Sequence, residues 1–363
     1  MSRRTALTVA VVTTTVVGVA ALVRWRFAAQ SAGKLGGKAD QPGDDPPSSS
    51  ASPPNVETTP AVTIAANPQG GNLGDGAGRE REKGDGAQLV ERRDCSDPTR
   101  GRGLFANAPL KRLDCALKVR PALTLIFEPY SSEVCLACNK ITTPAGVSGS
   151  TDKRCRTCKR FAVCGECDAA FNLFEWHKEG ECKRWMKLPE GMRQQRQLDV
   201  QFMLVRYRAA MDKDWSDDPN VKEPLNSLVD LQANMINLPE TQMKGIRGLG
   251  NLIDLSPEKV ITLMMMIRTN AGSIHLPNVN KVGCALSSNL SALNHNCDPN
   301  AVARVLDGCL VVGMTREVEK DDELTISYVD TAAPLIERQA ILRNHYQFAC
   351  SCERCVREAT AGL

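Results

Sequence analysis

Aromatic residues are scarce in this chain. Phe, Trp and Tyr make up 4% of its 363 residues, and none lies between Phe27 and Phe105. A span of that length without aromatic side chains cannot bury enough apolar surface to offset its ordering entropy, which excludes a packed core there. A strong excess of either charge is lacking too. The net value is +3 and the pI ≈ 8.1, too mild to imply a specific nucleic-acid partner. Cysteine, by contrast, is abundant, with 15 residues. A disulfide framework would require an oxidising compartment. The cysteines instead cluster in C-x2-C pairs, where neighbouring thiolates reach one metal ion. Metal binding needs free thiolates, which puts the folded part in a reducing compartment, the cytosol or the nucleus.

Residues 1–30 form a hydrophobic N-terminal segment. The run from Ala6 to Val23 carries no charge and is flanked by Arg3, Arg4, Arg24 and Arg26. As a helix it would span roughly 27 Å, barely a bilayer core. A membrane anchor through residues 6–23 is the expectation, with Arg24, Arg26, Lys34 and Lys38 keeping the C-terminal side cytosolic. No acidic residue precedes Asp40, so a mitochondrial presequence is the runner-up. Residues 31–95, with Pro46-Pro47-Ser48-Ser49-Ser50 and Gly70-Gly71, read as a flexible disordered linker.

Order is expected to begin near Arg100-Gly101-Arg102-Gly103-Leu104-Phe105, a tight turn feeding a strand. Leu117 to Phe127 reads as one or two strands with Pro121 at an edge. Then come Cys135, Cys138, Cys155, Cys158, Cys164, Cys167, His177 and Cys182, ligands enough for a pair of four-coordinate zinc ions. The stretch is too short for a sizeable core, so metal must supply much of its folding free energy. Asp168 to Glu181 reads as a helix, with Phe171, Phe174 and Trp176 available to cover the metal.

Residues 185–269 read as mostly helical. Leu198, Phe202 and Val205 share one face, and Ser256 caps a helix that starts at Pro257 and turns Val260, Leu263, Met264 and Ile267 inward. Met264, Met265 and Met266 read as core filling. A hairpin follows at 302–312 with an Asp307-Gly308 turn, then a strand from Glu323 to Tyr328 and a short helix from Arg338 to Tyr346. Cys297 lies in a polar turn, Asn294 to Asn300. Together with Cys350, Cys352 and Cys355 it can close a third tetrahedral site, tying the tail to the turn beside Tyr328.

Taken in order, five stretches resemble the motifs of one family. They are Gly101-Arg102-Gly103-Leu104-Phe105, the eight-ligand cluster, Asn294-His295-Asn296-Cys297-Asp298-Pro299-Asn300, Glu323-Leu324-Thr325-Ile326-Ser327-Tyr328 and Phe348-Ala349-Cys350-Ser351-Cys352-Glu353-Arg354-Cys355. The family is the SET-MYND proteins, SET-domain lysine methyltransferases with an inserted MYND zinc finger. The resemblance covers roughly residues 100 to 357. It implies an α+β fold of SET-domain β-sheets with a knot-like thread, an inserted MYND finger and a helical insert. On that plan, 96–134 is the N-terminal part of the SET domain, 135–182 the finger and 183–269 the helical insert. Residues 270–330 are then the C-terminal part of the SET domain, and 331–357 a zinc-binding post-SET tail.

The resemblance further implies S-adenosyl-L-methionine as cofactor and three zinc ions. Gly101, Arg102 and Gly103 would line the cofactor site through backbone, and Asn270 would hold the carboxylate end. Asn294 and His295 would contact the adenine and sugar side. Tyr328 would be catalytic and also touch the cofactor. Tyr346 and Phe348 would wall the lysine channel, with Phe348 against the cofactor as well. The implied partners are a protein presenting a lysine and a Pro-rich peptide at the finger. A catalytically silent, zinc-stabilised scaffold is the competing reading, and the intact Asn294, His295 and Tyr328 favour the enzyme.

The sequence departs from the family pattern in places. Asn296 stands where Ser is usual, and Lys320-Asp321-Asp322-Glu323 lacks a common Gly. Cys164-x-x-Cys167 and His177-x4-Cys182 differ from the usual three intervening residues, which bears on ligand pairing. Residues 283–288 lack a Gly-Leu-Tyr-Pro-like run, which bears on one side of the cofactor pocket. The sequence given has no room after Leu363 for the helical domain of larger members, so their substrate choice is not carried over.

Overall fold

The computed structural model describes residues 89–143, 147–193, 199–234, 240–276 and 279–362. The expected anchor at 6–23, nearly all of the linker and Leu198 lie outside the described residues. Among the described residues, no helix is long and apolar enough to cross a membrane.

The strands are β1 (Val90–Asp94), β2 (Arg102–Ala106), β3 (Cys115–Val119), β4 (Leu123–Ile126), β5 (Lys153–Arg154), β6 (Ala162–Val163), β7 (Gly272–Leu276), β8 (Val279–Leu286), β9 (Asn294–His295), β10 (Ala301–Leu306), β11 (Cys309–Met314) and β12 (Glu323–Ile326). One sheet runs β1-β2-β12-β9, a larger one β3-β11-β10-β7-β8-β4, and β5-β6 is a small ribbon. The mixture of small sheets and helices is the α+β class expected. Pro121 falls between β3 and β4, where its missing N–H leaves no gap in a ladder. β1 is a correction to the linker boundary. It pairs in register with β2, Val90 opposite Ala106, and Val90 is buried. A single buried apolar side chain in a charged pentapeptide leaves too faint an alternation to read from sequence.

The first sheet builds the site. β12 runs antiparallel to β2, pairing Leu324 with Leu104, and parallel to β9, pairing Thr325 with Asn294 and Ile326 with His295. Leu104, Ala106, Leu293 and Leu324 are fully buried beneath it. The Gly101 loop, Asn294 and Tyr328 therefore emerge together.

In the larger sheet, Asp307 and Gly308 both have positive φ, 48° and 76°, the geometry of a two-residue hairpin turn matched to strand twist. A Cβ at Gly308 would overlap the carbonyl oxygen of Ala137. Arg120 Nη1 donates to that same oxygen at 2.7 Å. The hairpin tip thus seats between the first cysteine pair of the finger.

The helical insert differs from expectation in two ways. The Asp199–Asp212 helix is buried continuously from Asp199 to Tyr207 rather than along one face, because the finger and the Pro257–Asn270 helix pack on different sides of it. Residues 213–234 are not helical apart from one 3-10 turn at Leu225–Leu228. The expected cap is present: Ser256 Oγ accepts from the Lys259 N–H at 3.2 Å, and Met264, Met265 and Met266 are all buried.

Candidate active site and metal centres

The cysteine-rich stretch folds into two interleaved ligand sets. Cys135, Cys138, Cys164 and Cys167 form one, and Cys155, Cys158, His177 and Cys182 the other, each with ligand atoms within 4.8 Å of one another. A zinc ion with bonds of about 2.3 Å to four sulfurs needs sulfurs about 3.8 Å apart. Cys138 and Cys164 are 3.8 Å apart and Cys155 and Cys182 3.6 Å. The residues fit zinc, and the altered spacings have not disturbed the pairing.

His177 is oriented by groups the sequence reading missed. Its Nε2 lies 3.3 Å from Cys158 Sγ, while Nδ1 lies 2.5 Å from Glu181 Oε2. Glu181, one helical turn on, is fully buried and ion-paired to Arg206, which also donates to the Thr124 carbonyl in β4. This carboxylate–imidazole pairing fixes the tautomer that leaves Nε2 for metal. Burial raises the Glu181 carboxyl, but the Arg206 guanidinium and then His177 outweigh it and hold it below the usual carboxylate range.

The aromatic cover also differs from expectation. The helix breaks at Asn172, in left-handed geometry with φ 50°, between Gly165–Phe171 and Leu173–Trp176. Phe171 consequently packs on Trp215, and Trp176 Nε1 donates to the Lys213 carbonyl. The ring stacked on His177, 4.1 Å away, is Phe161.

The third set is Cys297, Cys350, Cys352 and Cys355. Cys297 and Cys355 sulfurs are 3.5 Å apart. Hydrogen bonding from Cys350, followed by His295, Arg338 and Cys355, overcomes burial and holds the Cys297 thiol well below its ordinary value. A sulfur kept as thiolate is ready to ligate.

Beside this set opens a cavity of ≈ 2360 Å³ that includes Gly101, Asn270, Asn294, Tyr328, Tyr346 and Phe348 in its lining. The Tyr328 ring centroid lies 4.7 Å from Tyr346 and 6.5 Å from Phe348, edge-on to the latter. Its hydroxyl donates to the Leu293 carbonyl at 2.7 Å, so the oxygen lone pairs are what it offers a ligand. Asn294 Nδ2 donates to Glu323 Oε1 at 2.8 Å and to the Arg102 carbonyl at 3.2 Å. Glu323 in turn pairs with Arg100 at 2.8 Å. Gly103 permits this crowding: a Cβ there would lie 2.9 Å from Glu323 Oε1 and 3.0 Å from Cys95 Sγ. The glycine therefore admits protein neighbours. Burial, followed by Glu323, pushes the Cys95 thiol up to about 11, which leaves it protonated and inert.

Two assignments are sharpened by the geometry. His295 lines the cavity, but its ring is engaged within the protein. Nδ1 accepts from the Tyr328 N–H at 3.1 Å and Nε2 faces Cys297 Sγ at 3.2 Å. Asn270 Nδ2 donates to both Gln232 O at 2.7 Å and Met266 O at 2.9 Å. That leaves its carbonyl oxygen to meet a ligand. Gln232 belongs to a strap from the insert. Arg102 Nη2 donates to the Asp230 carbonyl and Asn234 Nδ2 to the Tyr346 carbonyl, so one segment touches both sides of the cavity. At the end of the atypical 283–288 run, buried Glu223 accepts from Ser287 Oγ, Ser288 N and the neighbouring Asn289 Nδ2, pinning this segment to the insert.

A family model described as SET domain matches residues 101–329. The chain belongs to the SET-domain family. Histone-lysine N-methyltransferase ASHR1 of Arabidopsis thaliana is 27% identical over 268 residues, covering 71% of this chain and 53% of that one. Histone-lysine N-methyltransferase SMYD3 of Mus musculus is 26% identical over 275 residues, covering 70% and 59%. SET domain and MYND-type zinc finger protein 6 of Schizosaccharomyces pombe is 27% identical over 213 residues, covering 57% and 41%. With its inserted double ligand set, this is a SET-MYND protein that spans little more than half the length of the first two relatives.

Proposed function

We propose that this SET-MYND protein transfers a methyl group from S-adenosylmethionine to the side-chain amine of a protein lysine. The observation that carries the reading is the Tyr328–Tyr346–Phe348 cluster, opening onto the cavity that Gly101, Asn270 and Asn294 also line. The donor set there suits an amino-acid nucleoside. Asn270 offers an acceptor, the Gly101 loop offers backbone, and the Arg100–Glu323–Asn294 network fixes the floor. When bound, the cofactor supplies a methyl group already activated as a sulfonium.

The protein's task is to deliver a neutral amine. A free lysine with a pKa near 10.4 is only about 0.1% neutral at pH 7.4, a cost of about 4 kcal/mol. Tyr346 and Phe348 desolvate the amine and so lower its pKa. The Tyr328 oxygen, its hydrogen committed to Leu293, accepts from the amine and aims it. Each ligand set would hold one zinc ion, three per chain, as structural anchors. Calorimetric titration of the full-length chain with S-adenosylmethionine should show one binding site, and elemental analysis of the same sample three zinc ions. Absence of cofactor binding would sink the methyltransferase reading in favour of the scaffold.

The finger carries exposed Ile141 and Val147, apolar positions suited to a Pro-rich peptide partner. Residues 6–23 would hold the enzyme at a membrane with its catalytic part in the cytosol, which favours cytosolic or membrane-associated substrates over chromatin. Recovery of the full-length protein in the soluble fraction after cell breakage would contradict that location.

A further inference from the structure

Arg338 is almost completely buried, 1% exposed, on the Leu335–Ile341 helix. Its guanidinium is shared among four acceptors. Nε points at Cys297 Sγ, 3.4 Å away, and Nη2 at Cys355 Sγ, 3.9 Å away. Nη1 donates to the Ala333 carbonyl at 2.6 Å, and Nη2 also reaches Glu358 Oε2 at 2.5 Å. Glu358 is shared: its other oxygen accepts from Arg354 Nε at 2.6 Å, and Arg354 Nη1 holds the Cys297 carbonyl at 3.1 Å. One carboxylate thus faces two guanidinium groups, and a buried guanidinium needs a full counter-charge. The remaining negative charge is on the sulfurs. Four thiolates around a divalent ion carry an excess of negative charge, and Arg338 lies against two of them. Among the described residues, neither finger set receives such a donor.

We infer that Arg338 is a positioning residue of the third metal centre, its guanidinium neutralising and orienting the thiolates of Cys297 and Cys355 so that this centre's grip on metal is set from outside its four ligands. The inference rests on reading the tail set as a zinc site, and it does not depend on methyl transfer. Residues that orient metal ligands without binding the ion commonly change affinity by about 10–100-fold. Gln339, the next residue, supports the same centre by clamping the Cys350 backbone. Its Nε2 donates to Cys350 O at 2.6 Å and its Oε1 accepts from Cys350 N–H at 3.1 Å.

The test follows zinc release from the zinc-loaded full-length protein to a chromogenic chelator, ion by ion. Arg338→Gln should release one zinc about 10–100-fold faster than wild type and leave the other two unchanged. Arg338→Lys, which keeps the charge without the fork, should fall between them. Cobalt substitution should show the altered thiolate charge-transfer band confined to one ion in three. Release of all three ions at wild-type rates would overturn the inference, as would equal acceleration of all three. Should Arg338→Gln fail to fold, Arg338→Lys decides alone: one faster ion supports the role, and none removes it. A wild-type protein holding only the two finger ions would remove the centre itself, whatever its cofactor binding shows.

Discussion

Tyr328→Phe is expected to lower kcat by about 100-fold while leaving the dissociation constant for S-adenosylmethionine close to wild type. The substitution removes one atom from a framework that otherwise stays intact. The phenyl ring keeps its stacking on Tyr346 at 4.7 Å and its edge contact with Phe348. The backbone N–H of residue 328 keeps its bond to His295 Nδ1. What is lost is the oxygen that donates to Leu293 and turns its lone pairs to the cavity. Without it, an amine can still enter the aromatic channel but is no longer aimed. Steady-state kinetics beside calorimetry separate the two quantities. Turnover at the wild-type rate would take Tyr328 out of the reaction, and lost cofactor affinity would make it a binding residue instead.

The largest stability effect is expected at Glu181. Glu181→Ala should cost about 3–5 kcal/mol and lower the zinc content of the finger, because it strips a buried guanidinium of its carboxylate partner and leaves His177 without its orienting group. The loss should extend beyond the finger, since Arg206 also holds the Thr124 carbonyl of β4. Denaturant unfolding and metal content measured together report both consequences. Glu181→Gln should be milder, keeping an acceptor for one neighbour. If Glu181→Ala retained full zinc and wild-type stability, the carboxylate would be incidental to the centre.

How much of this was legible in the sequence follows from the range of each interaction. The ligand sets were legible because C-x2-C spacing is local and the thiols have little else to do. The Ser256 cap, the Asp307-Gly308 turn and the buried methionines are local as well, and all stand as read. The tail closing on Cys297 was legible because four thiols satisfy a tetrahedral ion. Glu181 left a faint signal, a carboxylate one turn after the imidazole. Arg206, Arg338 and Glu223 left none, since an arginine or glutamate in an amphipathic stretch reads as a solvated face until its distant partner is known. Gln232 lies in a segment read as helical, and only the fold brings its carbonyl to Asn270. Phe161 was passed over for Phe171 because the left-handed break at Asn172 rotates the helix that carries Phe171.

The interleaving of the two finger sets has a consequence for metal starvation. Cys155 and Cys158 lie inside the loop that Cys138 and Cys164 close, so filling either set shortens the chain that must be ordered to fill the other. Binding free energy is folding free energy in so small a unit. Two ions bound there would then be taken up cooperatively, and a cell short of zinc would hold a mixture of fully loaded and empty fingers, with half-loaded molecules rare. Supply of the metal would set how many molecules are active, and each active molecule would work at full rate.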